Sequence, residues 1–426
     1  MRSWLWVVAM LALACQAIAA EPLAFAGAEG FGAQTCGGTG GRSLRVTTLD
    51  DDPRDPLPGS LRWAVMQAGP RVVTFDVAGN IRLRAALRVT EPFLTIDGHD
   101  APGDGICICD HSLWCKNTHD VIVRYVRLRH GDVETLRKVE ADGLERPKGS
   151  IDLDNVSLDD SKNLIFDHCS LSWCCDEAFG IVGCENVTVQ WCLIAEPLAN
   201  PRLHPYGDRH AFGLNTSANK LSMHHCLVAH YVMRGPQFEA NDVRHTTSYD
   251  VQMEAVNNVL FDYERSGSRY TTGIEDHPEE AVGTKFEFQF VNNYYLNPRD
   301  RKPEIEAVLK HGVSSQVRVY VAGNVGPHRP QDAGDQLALV FTETRQPIAT
   351  ADAAVRAQIV AAPLFSPPIP VTTERPVDVY QRVLDEAGCN HRRDAVDQRI
   401  IANVKARTFG RIVKSQADVG GWPELK

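Results

Sequence analysis

What this sequence lacks narrows it first. Beyond the N-terminus no apolar run is long enough to cross a bilayer as a helix. Basic residues are not in excess: 44 Lys and Arg stand against 54 Asp and Glu, a formal net charge of −10. A nucleic-acid partner wants a basic face, so that class is set aside. An anionic substrate is not, because local charge or a bound cation can oppose the global balance. The twelve cysteines are spread over 426 residues, unlike the dense framework of a small disulfide scaffold. A tetrahedral zinc site needs C-x2–4-C spacing and a second pair, and the adjacent Cys174–Cys175 lack that partner.

The N-terminus reads as a secretory signal. Arg2 is followed by the apolar stretch "WLWVVAMLALAC" and by small residues at Ala17 and Ala19, which place cleavage after Ala19 or Ala20. A lipoprotein cut at Cys15 is the lesser alternative. The mature protein is expected to be exported, soluble and monomeric. Removing Cys15 leaves eleven cysteines, an odd number that cannot all pair within one chain.

A repeat fills the middle of the chain. "NLIFDHCSLSW" from Asn163, "NVTVQWCLIAE" from Asn186, "KLSMHHCLVAH" from Lys220, "EAVNNVLFDYE" from Glu254 and "FQFVNNYYLNP" from Phe288 are each one short β-type run followed by another. Aligned, they put Cys169, Cys192 and Cys226 in one column, continued by Val259, Tyr294 and Val325. The neighbouring column reads His168, Trp191, His225, Asn258, Asn293 and Asn324, and Tyr125–Val126 fits the same frame. Spacings run from roughly 23 to 43 residues, with the excess between the strand runs. That pattern predicts an all-β solenoid, a parallel β-helix with variable loops on one side. Like residues then stack along the axis, asparagines as hydrogen-bonded ladders and the cysteines as small buried hydrophobes.

An open end of such a coil must be covered. "GSLRWAVMQAG" (59–69) can cover it, since Ser60 caps a helix whose Leu61, Ala64 and Val65 form one apolar stripe. Regularity fades near residue 330. The chain is therefore read as a leader at 1–20, a β-helix domain at 21–330, and an irregular tail at 331–426 packed on it, with a helix near "DVYQRVLDEAG".

The sequence resembles the secreted bacterial pectate lyases of the first polysaccharide lyase family. "AFAGAEGFGAQTCGGTGGR" and "PGSLRWAV" are similar to that group's opening, "DHCSLSWCCDE" and "NVTVQWCLIAE" to its core. "AVNNVLFDY" and "FVNNYYLNP" match later rungs, and "VLDEAGCNHRRDAVDQRI" and "SQADVGGWPEL" its C-terminal signature. The resemblance implies a right-handed parallel β-helix that cleaves polygalacturonate of plant cell walls by β-elimination, with calcium as cofactor. Calcium is bound by clustered hard oxygen ligands, and a cation beside the substrate carboxylate favours removal of the neighbouring C5 proton.

Carried over residue by residue, the calcium ligands fall at Asp152, Asp154, Asp176 and Glu177. The spacing of Asp152 and Asp154 puts both on one face if they lie on a strand. The base is Arg234 in "MRGPQF", which matches the family's R-x-P motif; arginine normally stays protonated, so its use as a base favours alkaline pH. Asp167 and His168 are assigned to the wall.

Two departures from the family stand near this site. The second arginine expected after the proline is replaced by Gln237, Phe238 and Glu239, and Tyr206 occupies a lysine position in "HPYGDRHAFG". Each charged hydrogen bond so lost is worth about 1–3 kcal/mol of substrate binding. Arg202, Arg209, His204 and His210 are the nearby residues that could compensate. Substrate contacts are thus expected from His204, Tyr206, Arg209, His210 and Gln237. Two alternatives remain: a silent relative that binds acidic polysaccharide without cutting it, and a glycoside hydrolase, which needs two carboxylates set across the scissile bond.

Overall fold

The computed structural model describes residues 22–150, 152–240, 251–271, 284–299, 307–311 (backbone only), 316–408 and 412–426. The leader read at 1–20 lies outside them. The chain winds into three parallel sheets of eleven, nine and eight strands. We call them A, B and C. One coil shows the plan: Lys162–Asp167 runs in sheet A, Ser170–Ser172 in C, Glu177–Val182 in B, and Glu185–Gln190 begins the next turn in A.

Strand alternation and the coil together dictate the core. On sheet A, Leu164, Val187, Leu221, Met253, Phe288 and Val319 follow one another rung by rung and all point inward, fully buried. Burying each such side chain is worth about 1.5–3 kcal/mol. Because every coil closes only against its neighbours, the ends need covers. Helix α1 (Leu61–Val65) supplies the first, with Ser60 accepting from Trp63 N and Leu61, Ala64 and Val65 buried, as the sequence pattern predicts. The glycine-rich opening lies across the outer face of sheet A. At Gly32 a Cβ would stand 2.4 Å from the carbonyl oxygen of Leu164, so only glycine permits this approach.

The corner between sheets A and C is made the same way in each of six successive coils. A residue in the left-handed region turns the chain: Tyr125, His168, Trp191, His225, Asn257 and Asn292, with φ between 51° and 54°. Their rings stack outside the wall, Tyr125 on His168 at 4.8 Å and Trp191 on His225 at 4.3 Å. The next residue points inward: Val126, Cys169, Cys192 and Cys226, then Asn258 and Asn293, continued one coil on by Asn324 after Gly323. This corrects the sequence alignment by one position in the later rungs. Cys226 N donates to Asn258 Oδ1 at 2.9 Å, and the Asn258 and Asn293 side chains each donate to the next asparagine up the axis, at 3.0 and 2.9 Å. The asparagines thus continue the cysteine column rather than the histidine one. The paired "NN" runs hid this, because either asparagine fits either column by type.

Parallel pairing continues past residue 330, to Val340–Thr342 in sheet B and Ile359–Val360 in sheet A. The tail proper follows. Helices α2 (Val133–Ala141), α3 (Ala353–Arg356), α4 (Pro376–Glu386) and α5 (Ala395–Ala406) complete the α-helices among the described residues. Val379, Val383, Ile400 and Val404 of the last two pack on Leu193, Leu227, Val259 and Phe261 of sheet C. Asp394 and Asp397, at the start of α5, pair with the fully buried Arg129 of that sheet.

Candidate active site

The loops between sheets C and B carry the candidate residues to one edge of sheet B. Asp154 closes the loop that holds α2 and precedes the strand Val156–Asp159. Asp176 and Glu177 close the next loop, and Arg234 follows one coil beyond the loop of His204 and His210. Asp154, Asp176 and Glu177 bring one carboxylate oxygen each within 4.8 Å of one another, a group able to hold a metal ion. Gly180 leaves the space for it: a Cβ there would meet Asp154 Oδ2 at 2.4 Å.

Each carboxylate is individually anchored. Asp154 accepts from Glu177 N at 3.1 Å and from Ser157 Oγ at 2.9 Å. Asp176 Oδ2 meets His204 Nε2 at 3.1 Å, while its buried Oδ1 has no hydrogen-bond donor. Glu177 forms an ion pair with Nη1 of Arg234. Burial pushes Asp154 well above the usual carboxylate range, with Glu177's charge adding to it. Burial also raises Asp176 to about 6 and lifts Glu177 well above its ordinary value, the latter helped by Asp176. Three acids crowded in a dry corner with one guanidinium beside them disfavour full ionisation. An all-oxygen donor set with an orphaned buried oxygen is what a hard divalent cation fits.

Asp152 stands apart from this group. The residue lies in a turn rather than a strand, with φ +64°, so the alternation that would align it with Asp154 does not operate. Its two oxygens are taken by His111 Nδ1 at 2.6 Å and Ser112 N at 2.8 Å. Asp152 does line a cavity of about 190 Å³ with Trp114, Asp154, Ser157, Asp159 and Gly180, which opens the acid group along the outer face of sheet B.

Arg234 takes the left-handed conformation, φ +70°, which turns its side chain back over the Phe212 ring at 4.4 Å and onto Glu177. His204 and His210 stack 3.5 Å apart beside Asp176. Tyr206 is 79% exposed, its ring edge-on to His204. Arg209 is committed to Glu264 through two contacts of 2.8 and 2.9 Å, and Arg202 reaches toward Glu140 at 3.6 Å. Neither is directed at the acids. Gln237 is buried and donates to Asn215 Oδ1 at 3.0 Å and to Glu239. Directly beside it in register on the next rung is Arg269, whose Nη1 contacts Met233 Sδ at 3.0 Å and whose buried Nε has no partner. Burial lowers this guanidinium to about 10, and Arg234's charge acts in the same direction. No motif marks Arg269 in the sequence; only the register of the coil places a cation there.

Asp167 lies in the wall, fully buried among Arg124, Gln190 and His168, at 2.7–2.8 Å. Cys174 faces the interior and Cys175 faces α2, where it meets Thr135, so the adjacent thiols lie on opposite sides of the wall.

No protein-family model matches the chain. Among curated proteins, "Probable pectate lyase C" of Aspergillus flavus is 28% identical over 417 residues, 95% of this chain and 82% of that protein. Its namesake in Neosartorya fischeri is 29% identical over 418 residues, 96% of this chain and 84% of that protein. "Probable pectate lyase P56" of Solanum lycopersicum is 34% identical over 174 residues, 39% of this chain and 42% of that protein. Among solved structures, the cedar-pollen allergen jun a 1 aligns with a TM-score of 0.52 at 16% identity, over 85% of this chain and 92% of that one. The thermostable pectate lyase PL 47 does so with 0.52 at 13%, over 87% and 98%. The shared fold is the right-handed parallel β-helix. The curated relatives are fungal and plant proteins, and the likeness they carry is to pectate lyases as such. Among the described residues no helix is long and apolar enough to cross a membrane.

Proposed function

We propose that this chain is a secreted lyase that cleaves pectate, or a related acidic polyuronate of plant cell walls, by β-elimination. Arg234 acts as the base, and Asp154, Asp176 and Glu177 hold calcium. The observation that carries this reading is the Arg234–Glu177 pair: the arginine of "MRGPQF" is bonded to one member of a buried three-carboxylate group. The names of the curated relatives support the substrate class.

A calcium ion in that group supplies charge neutralisation, at the acids and at the uronate carboxylate, which makes the C5 proton more acidic. The protein's own residues do the rest. Ser157 and Glu177 N orient Asp154, and His204 orients Asp176. Asp152, tied to His111 and Ser112, positions the turn that carries Asp154. Arg234, held between Glu177 and the face of Phe212, takes the proton from C5 in its neutral form, which alkaline pH favours. That electron pair forms the C4–C5 double bond, the C4–O bond breaks, and the glycosidic oxygen leaves, taking a proton from solvent water. Arg269 grips the substrate carboxylate in place of the missing second arginine, with Gln237, Tyr206 and the His204–His210 stack lining the approach.

Hydrolysis fits less well, since its two carboxylates face each other across the bond, whereas these acids are gathered on one side. The test is the ultraviolet absorbance of the unsaturated product, with mature protein on polygalacturonate at alkaline pH, in calcium or chelator. A calcium-dependent rise that is lost in Arg234→Ala is the expected result. A flat trace on polygalacturonate, methylated pectin and other uronates overturns it in favour of binding without turnover.

A further inference from the structure

The stretch "HPYGDRHAFG" holds more order than a substrate contact requires. His204 and His210 stack nearly parallel, 3.5 Å between ring centres and 14° between planes. Both Nε2 atoms face Asp176: His204 at 3.1 Å from Oδ2, His210 at 3.9 Å from Oδ1. Both Nδ1 atoms face Asp208 Oδ1, His210 at 2.5 Å and His204 at 3.5 Å. The carboxylate of Asp208 can only accept, so it fixes the proton of His210 on Nδ1. The Nε2 lone pair of His210 is then left pointing at a carboxylate oxygen that is itself buried and has no donor. Two electron-rich atoms facing each other in a dry corner repel unless a cation lies between them.

The geometry points to a nitrogen-ligated metal site here: His204 Nε2, His210 Nε2 and Asp176 bind a divalent first-row transition ion of the zinc class, with Asp208 as the outer carboxylate. A histidine that ligates a metal characteristically gives its other N–H to a carboxylate or carbonyl; His210 Nδ1 gives its N–H to Asp208, while His204 Nδ1 stands 3.5 Å from Asp208 and accepts from Tyr206 N. On an ion with bonds of about 2.0–2.1 Å, neighbouring ligand atoms stand about 3.0–3.4 Å apart. The 3.1 Å pair already matches, and the 3.9 Å pair closes with a small ring shift. Imidazole nitrogens select zinc, cobalt or nickel over calcium, which takes oxygen ligands. The site is distinct from the all-oxygen group and shares only Asp176 with it. It therefore stands whether or not the oxygen group holds calcium.

The experiment uses the untagged mature chain, stripped with chelator, and cobalt(II) as the probe. The expected result is one equivalent of cobalt bound, with a visible ligand-field band of a nitrogen-containing site. His210→Ala abolishes the band, Asp154→Asn retains it, and Asp208→Asn weakens binding by about 10–100-fold. Asp208 is half exposed, so its substitution tests the site even if a histidine variant fails to fold. No stoichiometric cobalt binding in the wild type, or equal binding in His210→Ala or Asp208→Asn, overturns the proposal. None of these readouts depends on polysaccharide cleavage, so they are independent of the lyase assignment.

Discussion

Arg234 and Glu177, 57 residues apart in sequence, meet as an ion pair at the mouth of a three-carboxylate group. The arginine's left-handed backbone aims it there, and Glu177 in turn is held in line by the strand it begins. The pair sets the first prediction. Arg234→Ala lowers kcat on polygalacturonate by about 10²–10⁴-fold, the range for loss of a positioned base, and far-ultraviolet circular dichroism shows the coil intact. Unchanged turnover in a folded variant removes Arg234 from the chemistry.

Arg269 stands in register with Gln237, one rung from where the sequence pattern lacks a cation, and its proposed grip on the substrate can be tested. Arg269→Ala raises KM for oligogalacturonates by about ten- to a hundredfold, equivalent to the 1.5–3 kcal/mol of a charge-assisted hydrogen bond, and leaves kcat within a few-fold. Arg269→Lys recovers part of the loss. Steady-state kinetics on tri- to hexagalacturonate separate the two parameters.

Asp176 gives a pH signature in cation-free protein. Its folded value, about 6, lies above the ordinary 3.8 because of burial. Between those values the folded state binds more protons than the unfolded one, so this group's contribution to stability falls as pH rises from about 4 to about 6. Asp176→Asn is free of that cost. Its stability relative to wild type should improve by about 2–3 kcal/mol across the window, read by urea unfolding at each pH. A difference that is constant with pH contradicts the burial argument.

The asparagine ladder predicts a purely structural effect. Asn293 Oδ1 accepts from both the backbone and side chain of Asn258, and its own amide donates to Ala255 O and Asn324 Oδ1. Asn293→Ala leaves buried donors unpaired and should cost about 2–4 kcal/mol in urea unfolding, with lyase kinetics at low temperature unchanged. Asn293→Asp, which can accept but not donate, loses less of the contact to Asn258.

The coil was legible in the sequence because its columns repeat by type: cysteine on cysteine, ring on ring, a capped helix ahead of the first rung. What misled was identity without register. Consecutive asparagines at 257–258 and 292–293 satisfy two columns equally, and only the left-handed φ of the first of each pair decides between them. At the site, Asp154, Asp176, Glu177 and Arg234 came only from the family resemblance, because they sit in three separate loops and nothing in their spacing joins them. Asp152 could not be placed, because a turn breaks the alternation that a strand would impose. Arg269 and the Asp208 bridge were invisible for another reason: each acquires meaning only from a neighbour one coil away or across a stacked pair of rings.

In the six coils from Tyr125–Val126 to Asn292–Asn293 the A-to-C corner spends two residues each, whereas in the same coils the passage from C to B ranges from the four residues 173–176 to the twenty-six of 130–155. Pitch and chemistry are thereby assigned to different edges of the same prism. A lengthened or shortened loop on the C-to-B edge alters the reach, depth and charge of the cleft mouth, yet transmits no slippage to the wall, since the next corner resets the register. Such a molecule behaves as a ruled frame with interchangeable fittings along a single margin.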